Sequence, residues 1–343
     1  MKPHSLWAIP MTIVLAVAAS GARAETNGQQ LAVGAGQSLI GTAAPPLVLK
    51  TIDGETIDLS KLYGKQAVYL KLWATWCVPC RQQMPHFEHV YETAGADLAV
   101  IAINIGFNDT IDAIRLYRRK VGITMPIVLD DGKVGAALHL RVTPQHIVIG
   151  RDGRIQYVGH LADARLDAAL VAAREAPSVQ TSNMSLHPSG APAGTRLAIG
   201  DTVPPSTVRT LEGGTFFLQD PQATKATVFV FISPWCESYL VTTRPAVAKN
   251  CRVGRIQVKA LAQAHVRWLG VASGLWATVQ DLADYRVQYK ITIPLTLDDA
   301  GTLFQEFGVN NTPTVIVVDA RGKIVRRVEP GELGTLRQTL QGF

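Results

Sequence analysis

The sequence has little cysteine. Four residues in 343, Cys77, Cys80, Cys236 and Cys251, exclude a disulfide-dense secreted scaffold, in which many bridges compensate for a small core. Cysteines this sparse point to chemistry rather than architecture. Long apolar runs are missing too. The longest, residues 6–19, has about 14 residues, against the roughly 18–20 that span a bilayer. Charge of one sign is scarce: the formal net charge is +6, and losing residues 1–24 would leave +4. No basic stripe with interleaved aromatics and no nucleic-acid-binding module is present, so no nucleic-acid partner is expected. The densest basic run, Arg115, Arg118, Arg119 and Lys120, falls on a predicted helix and reads as a solvated face. Apolar residues are not scarce. At 47% hydrophobic and 17% charged the chain is not mainly disordered, and its length fits about two domains of roughly 150 residues.

Residues 1–24 read as a secretory signal peptide, with Lys2 at its start and a small-x-small site at Ala22-Arg23-Ala24. Cleavage after Ala24 and a periplasmic location are the expectation. The alternative is an uncleaved segment that anchors the chain in the membrane.

An internal repeat organises the rest. Met125-Pro126-Ile127-Val128-Leu129-Asp130-Asp131-Gly132 matches Ile293-Pro294-Leu295-Thr296-Leu297-Asp298-Asp299-Ala300. Downstream stand Thr143-Pro144 in one copy and Thr312-Pro313 in the other, each leading into a β-rich run. Upstream, an apolar strand enters Trp76-Cys77 in one and Trp235-Cys236 in the other. The first unit is placed at 40–175 and the second at 197–343. Residues 176–196, with three prolines and no aromatic, read as a linker. Within the first unit, strands at 67–72, 99–104 and 127–129 alternate with a helix that starts near Cys77 and runs through Arg81 to Ala94 and with helices at 110–121 and 134–140. A hairpin is expected around Asp53-Gly54 and a closing helix at 163–174. This pattern predicts an α/β fold, two tandem domains that each have a central mixed β-sheet flanked by helices.

Trp76-Cys77-Val78-Pro79-Cys80 sits where a buried strand meets a helix. At a helix start a thiolate faces unpaired N–H groups and the positive end of the helix dipole, which lowers its pKa. Cys77 would be the exposed nucleophile, and Cys80, one turn inward, would resolve the mixed disulfide. Pro79 suits a first helical turn, where its missing N–H costs nothing. A static disulfide is one alternative. Half a zinc site is another, but zinc needs about four ligands and no second cysteine pair of suitable spacing exists.

Leu72-Trp73-Ala74-Thr75-Trp76-Cys77-Val78-Pro79-Cys80, with Pro85 behind it and Thr143-Pro144 downstream, resembles the TlpA/ResA-like periplasmic thioredoxin family. The likeness covers roughly 40–175, with a weaker version over 197–343. It implies a thiol–disulfide oxidoreductase whose Cys77–Cys80 disulfide is redox-active and which needs no metal or organic cofactor. It also implies that Pro144 is a cis-proline opposite the disulfide, and that Trp76, Pro79, Thr143 and Pro144 frame a substrate groove. The partners it implies are a cysteine-containing protein substrate and a membrane thiol transporter of the DsbD type as electron donor. Two positions depart from the family. Gln83 stands where several relatives carry a proton-transferring Glu, and Lys71 where thioredoxins carry a buried Asp. Both are candidates for tuning thiol pKa values. For Lys71 the alternative is a lysine whose stem packs while its head reaches water.

The second unit keeps Trp235-Cys236 but has Tyr239 in place of the resolving cysteine. Cys236, Thr312 and Pro313 form a possible second site. Three readings compete, in this order of preference. The first is a decayed copy that packs or binds a partner. The second is a lone redox cysteine, as in a peroxiredoxin-like peroxidase. The third is a Cys236–Cys251 bridge. A straight helix across those 15 residues would separate the pair by about 22 Å, whereas a disulfide tolerates Cα atoms about 4.4–6.8 Å apart, so Cys251 is expected to be a bystander. A disulfide oxidant or isomerase for folding proteins is a further alternative for the first unit.

Overall fold

A computed structural model describes residues 27–177, 196–262 and 266–341. The proposed signal peptide and nearly all of the proposed linker (178–195) lie outside the described residues. Among the described residues no helix is long and apolar enough to cross a membrane.

The first half begins with helix α1 (residues 27–36), followed by a small hairpin, β1 (Val48–Lys50) and β2 (Thr56–Asp58). Its sheet has the order β5-β4-β3-β6-β7. Strand β3 (Ala67–Trp73) is the centre, buried along its whole length. A continuous apolar run of this kind suits a strand covered on both faces. It pairs in parallel with β4 (Leu98–Asn104), which pairs in parallel with β5 (Ile127–Leu129). On its other side it pairs antiparallel with β6 (Gln145–Ile149), and β7 (Ile155–Gly159) closes that edge. Helices α2 (Val78–Gln82), α3 (Met84–Glu92), α4 (Ile111–Val121), α5 (Lys133–Ala137) and α6 (Ala164–Glu175) connect and flank the strands. The single helix expected from Cys77 onward is interrupted at Gln83 (φ −90°, ψ 0°). Pro85 has no N–H to give and crowds the preceding turn.

The second half repeats this order. Hairpin β8 (Thr207–Arg209) and β9 (Thr215–Phe217) precedes strand β10 (Thr227–Ile232). Helices α7 (Cys236–Tyr239) and α8 (Pro245–Leu261) follow, then β11 (Arg267–Ser273), α9 (Val279–Tyr289) and β12 (Leu295–Asp298). Helix α10 (Thr302–Glu306), β13 (Thr314–Val318), β14 (Ile324–Val328) and α11 (Leu336–Leu340) complete it. The sheet order is β12-β11-β10-β13-β14, the first half's order with every strand in its counterpart's place. Each half is thus a mixed five-stranded sheet flanked by helices. Thr143–Pro144 and Thr312–Pro313 are both cis.

The two halves pack against each other, and one apolar cluster runs through both, from Trp76 and Phe107 to Phe231 and Phe304. Their polar contacts are reciprocal. In the loop after β4, the Asn108 N–H donates to the Asn310 carbonyl (2.8 Å), and Asn108 Oδ1 accepts from the Thr312 N–H (3.1 Å). In the loop after β11, the Trp276 N–H donates to the Arg141 carbonyl (2.9 Å), and its indole N–H donates to Thr143 Oγ1 (3.1 Å). Each half therefore sets the loop after its second sheet strand on the other's cis-proline loop, the self-complementary pattern of a two-fold interface.

Candidate functional site: a buried disulfide under the second half

Strand β3 delivers Trp76 and Cys77 to the end of the sheet, and α2 begins there. Cys77 caps that helix: its backbone is extended (φ −73°, ψ 113°), and its Sγ accepts the Cys80 N–H at 3.1 Å. Cys77 and Cys80 are joined as a disulfide with Cα atoms 5.2 Å apart. The Cys77 sulfur also lies 3.2 Å from the Thr143 carbonyl oxygen, next to cis-Pro144. A sulfur that already receives a donated backbone N–H is set up to carry charge as a thiolate, because that hydrogen bond favours the charged form.

A polar layer lies behind the disulfide, most of which the sequence reading missed. His146, on β6, is fully buried. Its Nε2 lies 2.8 Å from Gln83 Oε1 and its Nδ1 lies 2.8 Å from the Tyr69 hydroxyl. Because Gln83 Oε1 only accepts, the ring carries its proton on Nε2, and Tyr69 donates to Nδ1. Burial pushes the His146 pKa well below the usual imidazole value, and the neighbouring Lys71 adds to that push. Burial likewise raises the Tyr69 hydroxyl well above its usual range. Gln83 Nε2 donates to the His160 carbonyl (3.2 Å), and the His160 Nδ1–H donates to the Pro144 carbonyl (2.7 Å). The layer therefore connects the helix after the disulfide to the cis-proline loop. One signal was available in sequence: a histidine inside the apolar run of β6.

Lys71 is the other buried group. It sits on β3 beside His146 on β6 with no exposed surface. Its Nζ has no hydrogen-bond partner among the described residues and lies 5.2 Å from the centre of the Phe87 ring. Desolvation lowers its pKa to about 7. The reading in which its head reaches water is thereby corrected. A central strand covered on both faces leaves a four-carbon stem no path out.

The groove side of the disulfide is occupied by the second half. Trp76 is 1% exposed, and both cysteines are fully buried. The Trp235 ring lies 5.2 Å from the Trp76 ring, tilted by 33°. The Tyr239 hydroxyl accepts the Val78 N–H at 3.0 Å, and its ring meets Trp76 edge-on. The residue in place of a resolving cysteine thus lies against the Cys-Val-Pro-Cys turn of the first half. Arg244 fastens the same side. It pairs with buried Asp109 (3.0 Å) and donates to Thr75 Oγ1. Asp109 also accepts the Thr75 N–H (2.7 Å) and the Asn104 side-chain amide (2.9 Å). The α1 helix reaches this region as well, because Gln29 Oε1 accepts the His160 N–H (2.7 Å).

Cys236 and Cys251 form a disulfide, with Cα atoms 6.2 Å apart. This overturns the lone-cysteine reading and corrects the picture of Cys251 as a bystander, while the reading of a copy that packs stands with the second half seated on the first. The physical reason is the path of the chain. Helix α7 ends at Tyr239, and α8 starts anew at Pro245 after a turn through Leu240–Arg244. The 15 residues therefore fold back instead of rising along one axis. Ser233 Oγ lies 3.3 Å from Thr312 Oγ1 behind this pair. Among the described residues no group of His, Cys, Asp or Glu is placed to hold a metal ion.

The AhpC/TSA family profile matches residues 40–158. The chain is 32% identical over 133 residues to the thioredoxin-like protein YneN of Bacillus subtilis (strain 168), a match that covers 38% of this chain and 78% of YneN. It is 33% identical over 128 residues to the thiol-disulfide oxidoreductase ResA of the same strain, covering 36% of this chain and 70% of ResA. Among solved structures, a thiol:disulfide interchange protein of the thioredoxin family from Chlorobium tepidum TLS aligns at 26% identity with a TM-score of 0.36, over 39% of this chain and 97% of its own. StoA from Bacillus subtilis aligns at 26% identity with a TM-score of 0.33, over 37% and 98%. With more than two thirds of ResA and of YneN matched, and the cysteine pair at the helix start, the chain belongs to the TlpA/ResA-like thioredoxin family and is a thiol–disulfide oxidoreductase.

Proposed function

We propose that the Cys77/Cys80 dithiol reduces a cysteine-containing protein outside the cytoplasm. In this reading Cys77 attacks the substrate disulfide, and Cys80 resolves the mixed disulfide that forms. Trp76, Pro79, Thr143 and Pro144 line the groove that receives the substrate. The observation that carries the reading is the placement of the Cys77 sulfur, which accepts the Cys80 N–H and abuts the carbonyl before cis-Pro144. Lys71, six residues before Cys77 and beside His146, has its pKa lowered to about 7 by burial and is the base available behind the pair. The leader-like residues 1–24 support an extracytoplasmic, periplasmic setting, and family resemblance supports a DsbD-type thiol transporter as the source of electrons.

The second half occupies the groove, so a substrate must displace Trp235 and Tyr239 to reach Cys77. Cys80→Ser should strand the physiological partner on Cys77 as a mixed disulfide, and Cys77→Ser should abolish insulin reduction. Wild-type rates in Cys77→Ser would defeat the proposal. A reduction potential near thioredoxin's value of about −270 mV supports a reductase, whereas one near about −120 mV would make the chain an oxidant instead.

A further inference from the structure

The second half contains a sulfur pair that the first half's chemistry does not use. Cys251 Sγ lies 3.5 Å from the carbonyl oxygen of Thr312, the residue before cis-Pro313. Cys77 makes the same contact with the carbonyl of Thr143 before cis-Pro144. The second half has therefore lost the sulfur at the position of Cys80 but has brought another to its cis-proline loop from α8. Gly254, one turn further along α8, makes that approach possible. A Cβ there would come within 2.6 Å of the Pro313 ring, so any larger residue would hold the helix away.

The bridge is not required by the fold. Counted from the helix proline, Pro85 or Pro245, the first-half counterpart of Cys251 is Tyr91, and that half keeps the same sheet order with no bridge at that helix position. Accessibility also separates the four sulfurs. Cys77, Cys80 and Cys236 are fully buried, while Cys251 is only partly buried. Of the four cysteines it is the one that keeps exposed surface while the halves stay packed.

We infer that Cys236–Cys251 is a second thiol-exchange site, whose reaction partner is a protein dithiol. A partner thiolate attacks Cys251 Sγ, a bond forms between the two sulfurs, and the Cys236–Cys251 bond breaks. The electron pair leaves on Cys236, which takes up a proton. The partner's second thiolate then attacks its own sulfur in the mixed disulfide, and Cys251 leaves and is protonated. The partner dithiol becomes a disulfide, and Cys236–Cys251 becomes two thiols. Two electrons move, and the two protons lost by the partner balance those gained.

The test uses the full-length Cys77→Ser/Cys80→Ser variant, which leaves only the second pair. Reduced thioredoxin is the protein dithiol and reacts with the folded chain; acid stops the exchange, and alkylation in denaturant followed by mass spectrometry then counts the thiols that formed. The expected result is a gain of two alkyl groups, at Cys236 and Cys251. A thioredoxin lacking its resolving cysteine should be captured on the Cys251 peptide. If thiols form only when the chain is unfolded before thioredoxin is added, the bridge is static and the inference fails. Capture on the Cys236 peptide would overturn the assignment of Cys251 as the entry sulfur. Insulin reduction by Cys236→Ser/Cys251→Ser keeps the two proposals apart, because it reports on the Cys77/Cys80 reading alone.

Discussion

Replacing Lys71 with methionine should stabilise the folded chain, and the gain should fade as the pH rises. The lysine has no exposed surface and no hydrogen-bond partner for its Nζ among the described residues. Its pKa falls from 10.5 to about 7 because burial penalises the charged form. The unfolded chain keeps the ordinary value. Between pH 7 and 10.5 the unfolded state therefore holds a proton that the folded state lacks, and stability rises with pH by up to about 1.4 kcal/mol per unit. Over about 3.5 units the penalty reaches about 5 kcal/mol, present in full below pH 7 and gone above pH 10.5. Methionine keeps the apolar stem and has no charge to desolvate. The assay is urea unfolding of the oxidised wild type and of Lys71→Met at pH 7, 8, 9 and 10. With both disulfides intact no thiol titrates, and the difference between the two proteins cancels the other lysines and tyrosines. The difference should favour Lys71→Met by several kcal/mol at pH 7 and shrink steadily towards pH 10. A difference that stays flat across this range would mean that Lys71 titrates normally, and the account of an unpaired buried amine would be wrong.

Three other perturbations follow from the same geometry. Arg244→Ala leaves buried Asp109 facing the interface without its cation; the expected cost is about 1–3 kcal/mol, reduced because Arg244 is itself partly exposed, and alkylation of reduced Cys77 should become faster. Unchanged alkylation would show that this ion pair does not hold the halves over the site. Gly254→Val forces α8 off the Pro313 ring, at about 1–3 kcal/mol, and a reduced chain carrying it should re-form Cys236–Cys251 more slowly than Cys77–Cys80. Equal rates for the two bridges would refute that role for the glycine. His146→Leu strands the buried Tyr69 hydroxyl, at about 1–3 kcal/mol. Because the His146 pKa is depressed in the folded state, the wild type should lose stability as the pH falls below about 6.5, and this loss should be smaller in His146→Leu. Equal acid sensitivity in the two proteins would place the titration elsewhere.

Much of the fold could be read from local pattern. The apolar runs of β3 and β10, the matched Asp-Asp stretches at Asp130 and Asp298, and the two Thr-Pro steps are short-range signals that survive in sequence because each strand and turn imposes its own periodicity. The Cys-Val-Pro-Cys turn is of the same kind, since its chemistry arises within four residues at a helix start. The α1 helix and the break between α2 and α3 were less legible. The first begins next to the leader-like segment, and the second depends on how Pro85 crowds the preceding turn.

What the sequence determined by itself was the redox pair and the repeated α/β unit, because both are set by near neighbours in the chain. The tertiary structure alone decided the pairings that span many residues. Cys251 meets Cys236 because the chain reverses at Leu240–Arg244, which helical arithmetic on a straight axis could not show. Arg244 meets Asp109, 135 residues away, and Trp235 meets Trp76, because two sheets of the same design present complementary loops to each other. Lys71 lost its route to water for a similar reason: strand and helices closed over both faces of the sheet, and that closure is a property of the packing rather than of any one segment.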